Sequence, residues 1–111
     1  MSSVAVLDRR ELPDGSVIVT TTMTLPAGWN KAQTQVWFVL PVAFPNAQPD
    51  CFFADYDLRL ANGAQPVNSG FQALDAHQLL WFSWHLASWN PARDNVDTYV
   101  RFIERRFADV R

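Results

Sequence analysis

The sequence is poor in several features, and each shortage excludes a class of protein. One cysteine among 111 residues cannot form an internal disulfide, which excludes a small secreted scaffold held by disulfides. No run approaches the roughly 18 apolar residues of a spanning helix, because Pro41, Pro45 and Pro49 interrupt the best candidate. The opening MSSVAVLDRR contains too short an apolar run for a signal peptide. We therefore expect a cytoplasmic protein without a membrane partner.

Lysine is also scarce, and the charge balance is slightly acidic. Lys31 is the only lysine beside eight arginines, and the net charge is −2. Proteins that bind nucleic acids usually present a basic face, so we expect no nucleic-acid partner. Four arginines lie near the C-terminal end: Arg101, Arg105, Arg106 and Arg111. We interpret them as the solvated face of a helix, where cations favour the negative end of the helix dipole.

Apolar and aromatic residues are plentiful for a chain of this length. Hydrophobic residues make up 49% of the sequence and aromatic residues 14%. This composition is too apolar for intrinsic disorder and can supply one hydrophobic core. We therefore predict a single domain over residues 1–111.

The hydrophobic pattern predicts four strands, over residues 3–12, 16–25, 34–40 and 51–60, and the second and fourth of them alternate between apolar and polar residues. Pro13-Asp14-Gly15 presets a tight turn, so the first two strands should form a hairpin. The third strand is apolar on both faces, which is typical of a strand in the middle of a sheet.

The second half of the sequence predicts turns, an irregular aromatic segment and a helix. Residues 62–70 are polar and rich in turn formers. Residues 71–89 are aromatic without a clear period, and we interpret them as a short helix with a buried loop. Asp94 is a suitable N-cap for a helix over residues 94–109. Its apolar side chains recur at helical spacing: Val96, Tyr99, Val100, Ile103, Phe107 and Val110.

These elements predict an α+β fold, in which the C-terminal helix packs on one face of an antiparallel four-stranded meander. Their order also resembles the ubiquitin-conjugating-enzyme (UBC) fold. The family's aromatic-Pro-x-x-x-Pro crossing after the third strand is similar to Phe44, Pro45 and Pro49. Its Trp-x-Pro after the active-site loop is similar to Trp89-Asn90-Pro91.

Two longer segments, LPAGWN and WFSWHLASWNPARDNVDTYV, resemble a divergent prokaryotic branch called family E. That branch is associated with bacterial ubiquitin-like operons, and the resemblance covers roughly residues 16–108. It implies a protein that accepts a ubiquitin-like protein from an adenylating activating enzyme and passes it to a target amine. The single lysine fits a protein that avoids modifying itself.

The sequence also departs from the UBC family in ways that bear on activity. It opens on a predicted strand where typical members have an N-terminal helix, and it lacks the His-Pro-Asn tripeptide and the nucleophilic cysteine. Counting from the Pro-rich crossing places the nucleophile position at Ser69, whereas counting from Asn62-Gly63 gives Pro66. Ser69 is therefore our candidate acyl acceptor. A serine hydroxyl needs a base, because it is far less acidic than a thiol.

His85 is the candidate base, since histidine is the side chain that most often acts as a general base. The alternative is a structural histidine whose ring closes the Trp-rich core through a hydrogen bond. Cys51 is a second candidate acceptor, although a lone cysteine is most often a small buried hydrophobe. Asp94 would be functional only if it assists His85, and we interpret it as the helix cap. We predict no cofactor and no metal, because His77 and His85 have no second cysteine in support.

Three functions stay open from the sequence. The first is the transferase, and the second is an inactive UBC-like scaffold that binds the ubiquitin-like protein or the activating enzyme. The third is an unrelated interaction domain, in which a sheet edge or an aromatic surface binds a protein partner. Such an aromatic surface would use Trp81, Trp84 and Trp89, although tryptophans in a small domain are first expected in the core.

Overall fold

The computed structural model describes residues 7–111, which form one antiparallel sheet of six strands and one α-helix. The strands are β1 (Asp8–Glu11), β2 (Val17–Thr24), β3 (Gln33–Leu40), β4 (Phe52–Asp55), β5 (Ser69–Leu74) and β6 (His77–Phe82). The helix α1 spans Val96–Ala108. The strand order is β1-β2-β3-β4-β6-β5. The α+β class is confirmed, but the predicted number of four strands is wrong.

The predicted hairpin between the first two strands is confirmed. Asp14 organises its turn, because one carboxylate oxygen accepts both the N–H of Ser16 at 2.9 Å and its hydroxyl at 2.6 Å. Gly15 adopts a left-handed φ of 93°, which glycine reaches without strain. Residues 3–6 of the predicted first strand lie outside the described residues.

The fourth predicted strand is too long. β4 ends at Asp55, and the chain turns at once, because the N–H of Leu58 donates to the carbonyl of Asp55 at 3.1 Å. Leu58 is nevertheless fully buried, so the apolar pattern that suggested a strand through residue 60 reflects burial in a turn.

The irregular segment predicted over residues 71–89 is mostly a second hairpin. β5 and β6 pair in register from Ser69 opposite Phe82 to Leu74 opposite His77. The two loop residues, Asp75 and Ala76, have φ values of 49° and 70°, as the tightest hairpin turns require. The sequence lacks the usual Asn-Gly or Asp-Gly signal here, which explains why the short helix was predicted wrongly.

The helix packs on one face of the sheet, as predicted. Its buried side chains include Tyr99, Ile103 and Phe107, and the Phe107 ring contacts Phe52 and Phe82 edge to face at 5.7 and 5.6 Å. Val110 does not join this stripe, because the helix ends at Ala108 and Val110 is 36% exposed. No helix in the described part of the chain is long and apolar enough to cross a membrane.

The N-cap of the helix is Asn95 rather than Asp94. The Asn95 side chain accepts the N–H of Thr98 at 3.2 Å, and the Thr98 hydroxyl accepts the N–H of Asn95 at 3.1 Å. This reciprocal pair is a capping box. Asp94 instead accepts the N–H of Asn90 at 2.8 Å and closes the preceding turn. Both residue types cap helices well, so the sequence alone does not separate them.

Candidate functional site

The two motifs that resemble the UBC family lie against each other. The indole N–H of Trp89 donates to the carbonyl oxygen of Pro45 at 2.7 Å, and its ring contacts Phe44 at 6.0 Å between centroids. Gln48 joins the same segments, since its side-chain amide forms hydrogen bonds of 2.8 and 2.9 Å with the main-chain oxygen and N–H of Leu86. The Pro-rich crossing and the segment after β6 therefore form one connected unit.

Ser69 is the first residue of β5 and is half-buried. Its hydroxyl donates to the carbonyl oxygen of Pro66 at 2.5 Å, and its own carbonyl accepts the side-chain N–H of Gln65 at 2.9 Å. The hydroxyl proton is therefore directed to a main-chain carbonyl, which cannot act as a general base at neutral pH.

His85 lies on a neighbouring segment but forms no hydrogen bond to Ser69. The N–H of Ser83 donates to the carbonyl oxygen of Asn68 at 2.9 Å, so the chain just before His85 runs beside the chain just before Ser69. His85 itself is exposed and has no hydrogen-bond partner among residues 7–111. Its exposure makes the alternative of a core histidine wrong. Asp94 is bonded to Asn90, and no contact joins it to His85.

Arg106 is buried, which corrects the prediction of a solvated arginine face. It is 3% exposed, and its guanidinium donates to the main-chain oxygens of Val67 at 3.2 Å, Asp109 at 2.8 Å and Arg111 at 2.9 Å. The guanidinium also lies 4.7 Å above the ring of Trp84. Burial lowers the pKa of this guanidinium. Arg106 thereby ties the segment before Ser69 to the end of the helix.

The other arginines of the predicted cluster do face solvent. Arg101 and Arg105 are exposed, and Arg101 pairs with Asp97 at 2.8 Å one turn earlier. Trp81, Trp84 and Trp89 are each half-buried, whereas Trp29 is 6% exposed and lies in the core. The sequence could not assign these environments, because each depends on contacts with distant segments.

Cys51 is an unactivated thiol. It is half-buried, and burial raises its pKa. A hydrogen bond with Trp81 opposes this effect, while the neighbouring carboxylate of Asp50 adds to it. The thiol lines a small cavity of about 180 Å³ together with Val39 and Phe53. At neutral pH the thiol stays protonated, so it is a poor nucleophile.

We therefore expect slow modification of Cys51 by an aromatic disulfide reagent at pH 7. The rate should be at least about tenfold below that of the urea-unfolded chain, and it should rise as pH increases toward the raised pKa. Stopped-flow absorbance across pH measures both quantities. Equal native and unfolded rates at pH 7 would contradict this description of the thiol.

Lys31 is held between two carboxylates. Its ammonium lies 2.8 Å from a carboxylate oxygen of Asp55 and 2.9 Å from one of Asp57. The hydrogen bonds to Asp55 and then to Asp57 raise the pKa of Lys31. An amine must lose its proton to attack an acyl group, so the only lysine of this sequence is a weak acceptor.

Acetylation of Lys31 by a water-soluble succinimidyl ester should be slower than in the Asp55→Asn/Asp57→Asn variant. Removing both carboxylates lowers the pKa of Lys31 and enlarges the neutral fraction of its amine. Mass spectrometry of peptides containing Lys31 gives the two rates at pH 8. Equal rates, with both proteins folded by circular dichroism, would mean that the carboxylates do not protect the amine.

No three side chains of His, Cys, Asp or Glu within residues 7–111 form a group that could hold a metal ion. Among known proteins, a family model described as Prokaryotic E2 family E matches residues 7–110. No curated protein and no solved structure gives a significant match. The match covers nearly the whole chain, and the chain belongs to prokaryotic E2 family E, a UBC-like family.

Proposed function

We propose that this chain is a component of a bacterial ubiquitin-like modification pathway that binds its partners without forming an acyl intermediate. Membership of a prokaryotic E2 family supports the pathway. The partners would be a ubiquitin-like protein and the adenylating enzyme that activates it, with a target protein bound through one of them.

The protonation and hydrogen bonding of the two candidate nucleophiles support the non-covalent part of the proposal. The Ser69 hydroxyl donates to Pro66, and burial raises the pKa of the Cys51 thiol. Acyl transfer needs a nucleophile that is deprotonated or hydrogen-bonded to a base. Neither side chain meets this condition, so a binding role is better supported than a catalytic one.

A second candidate function is acyl transfer through Ser69, and the hydrogen bond between Ser83 and Asn68 favours it. That contact holds the segment of His85 beside the segment of Ser69. After a side-chain rotation, the Ser69 hydroxyl proton would pass to a ring nitrogen of His85. The Ser69 oxygen would then form an ester with the acyl carbon while the activating enzyme's leaving group departs. His85→Gln should abolish such an adduct, because glutamine cannot take up the proton.

Size-exclusion chromatography tests the binding role. The chain would be mixed with an adenylating enzyme and a ubiquitin-like protein encoded by neighbouring genes, and then run with and without ATP. We expect co-elution with at least one of them, with no covalent species on a denaturing gel. Elution of the chain at its own volume in every mixture would contradict the proposal.

A further inference from the structure

The two edge strands of the sheet differ in how they are protected against pairing. β1, at one edge, has the sequence DRRE, and all four of its residues are charged and exposed. Charged side chains are a common device that keeps an edge strand from pairing with another chain. β5, at the other edge, has the sequence SGFQAL and no charged residue. The β5 edge therefore lacks the protection that β1 has.

The free side of β5 presents unpaired main-chain groups. In a hairpin with a two-residue loop, the residues that flank the loop, here Leu74 and His77, form a hydrogen-bonded pair. Because such pairs alternate along an antiparallel ladder, Phe71 and Ala73 direct their N–H and C=O groups away from β6. Neither residue has a main-chain partner beyond this ladder among residues 7–111. An extended segment can satisfy these groups by adding a strand.

An aromatic and cationic surface adjoins this edge. Phe71 is 45% exposed, and its ring contacts the ring of Tyr56, which is 49% exposed, at 5.1 Å between centroids. The guanidinium of Arg59 lies 4.9 Å from the centre of the Phe71 ring. Within residues 7–111 it has no carboxylate at salt-bridge distance, and its hydrogen bonds go to main-chain oxygens of Tyr56 and Leu58. This surface suits an apolar side chain next to a carboxylate.

We infer that the free edge of β5 is a strand-addition site for an extended acidic peptide segment of a protein partner. The unpaired main-chain groups supply affinity, while Phe71, Tyr56 and Arg59 select an apolar residue and an acidic residue two positions away, because alternate side chains of a strand share a face. A second copy of this chain fits less well, because pairing β5 with itself brings two Arg59 guanidinium groups toward each other without a carboxylate.

The identity of the partner rests on the proposed function, in which the segment belongs to the ubiquitin-like protein. An antiparallel segment on β5 runs toward Ser69, the first residue of the strand. Its carboxyl end is then placed beside the position that the sequence pattern marks as the family's acceptor. In the non-covalent role, this arrangement holds the carboxyl end of the segment without a bond to it.

The test uses a defined peptide, acetyl-Thr-Val-Glu-Glu-Glu-Thr-amide, added to isotopically labelled protein while amide NMR signals are recorded. We expect shifts and slower hydrogen exchange at the N–H groups of Phe71 and Ala73, with β2 unchanged. Two matched peptides complete the design: one with alternate amides N-methylated and one with lysine in place of glutamate. Both should bind at least about fivefold more weakly, because each loses hydrogen bonds or charge attraction.

Ala73→Pro removes the outward N–H of residue 73 and leaves the β5–β6 ladder intact, while Ala73→Ser is its matched control. We expect the proline variant alone to bind the peptide at least about fivefold more weakly. Gln72→Glu and Gln72→Lys form a second pair that leaves the backbone unchanged, and only the glutamate variant should weaken binding of the acidic peptide. Three results would overturn the inference. They are shifts confined to other strands, equal peptide binding by both members of each variant pair, and no shift at millimolar peptide.

The peptide test of the β5 site and the co-elution test of the proposed function can fail independently. Peptide binding at β5 without co-elution of either pathway protein would keep the strand-addition site and remove its assigned partner. Co-elution of a pathway protein with unchanged exchange at Phe71 and Ala73 would remove the site and keep the pathway role.

Discussion

Replacing Ile103 by aspartate is expected to lower the free energy of unfolding by several kcal/mol, at least about 4. Ile103 is fully buried between α1 and the sheet. An aspartate there leaves a charge without solvent or partner and also removes apolar contacts. Since a domain of this size is commonly stable by about 5–15 kcal/mol, a large unfolded fraction should result. Urea denaturation followed by tryptophan fluorescence measures the change.

Arg101→Asp is the control for this variant, because Arg101 lies on the same helix and is exposed. It removes the ion pair with Asp97, and we expect the free energy of unfolding to fall by no more than about 1 kcal/mol. Similar midpoints for the two variants would mean that the buried face of the helix is assigned incorrectly.

Replacing Arg106 by alanine is expected to lower the free energy of unfolding by about 2–4 kcal/mol. The substitution removes the guanidinium donor from three main-chain oxygens and opens a void beside Trp84. Arg105→Ala is the matched control, because the neighbouring residue is exposed and its loss should change stability by less than about 0.5 kcal/mol.

The Arg106→Ala variant should also loosen the segment before Ser69 locally. The N–H of Val67 donates to the main-chain oxygen of Arg111 at 3.3 Å, and Arg106 bridges the same two residues. In this variant, the amide hydrogen of Val67 should therefore exchange faster, and its rate should increase more than the rates in β2. NMR under native conditions measures both. Equal stability of the alanine variants at 105 and 106 would show that Arg106 is a solvated cation, as the sequence pattern suggested.

Local signals account for what could be predicted of the fold. Pro13-Asp14-Gly15 fixes the first hairpin, and alternation predicts β2, while an apolar run predicts β3. Helical spacing from Val96 to Phe107 identifies the helix and its buried face. Each of these features acts within a few residues of the chain, so the sequence displays it directly.

Features that lack a local sequence signal, or that depend on distant contacts, could not be predicted. The second hairpin turns at Asp75-Ala76, where two non-glycine residues adopt positive φ without a sequence signal. The burial of Arg106 depends on Trp84 and Val67, which come from other segments. For the candidate site, the sequence placed Ser69 and His85, but the hydrogen bond from Ser69 to Pro66 appears only once the loop is folded.

Intact-mass spectrometry after incubation with the activating enzyme, the ubiquitin-like protein and ATP tests the non-covalent role most directly. The reaction would be quenched at mildly acidic pH without thiol reductant, so that both esters and thioesters survive. If the role is non-covalent, the mass of this chain stays unchanged while the activating enzyme itself becomes loaded. An added mass equal to the ubiquitin-like protein less one water, lost in Ser69→Ala or in Cys51→Ala, would contradict it.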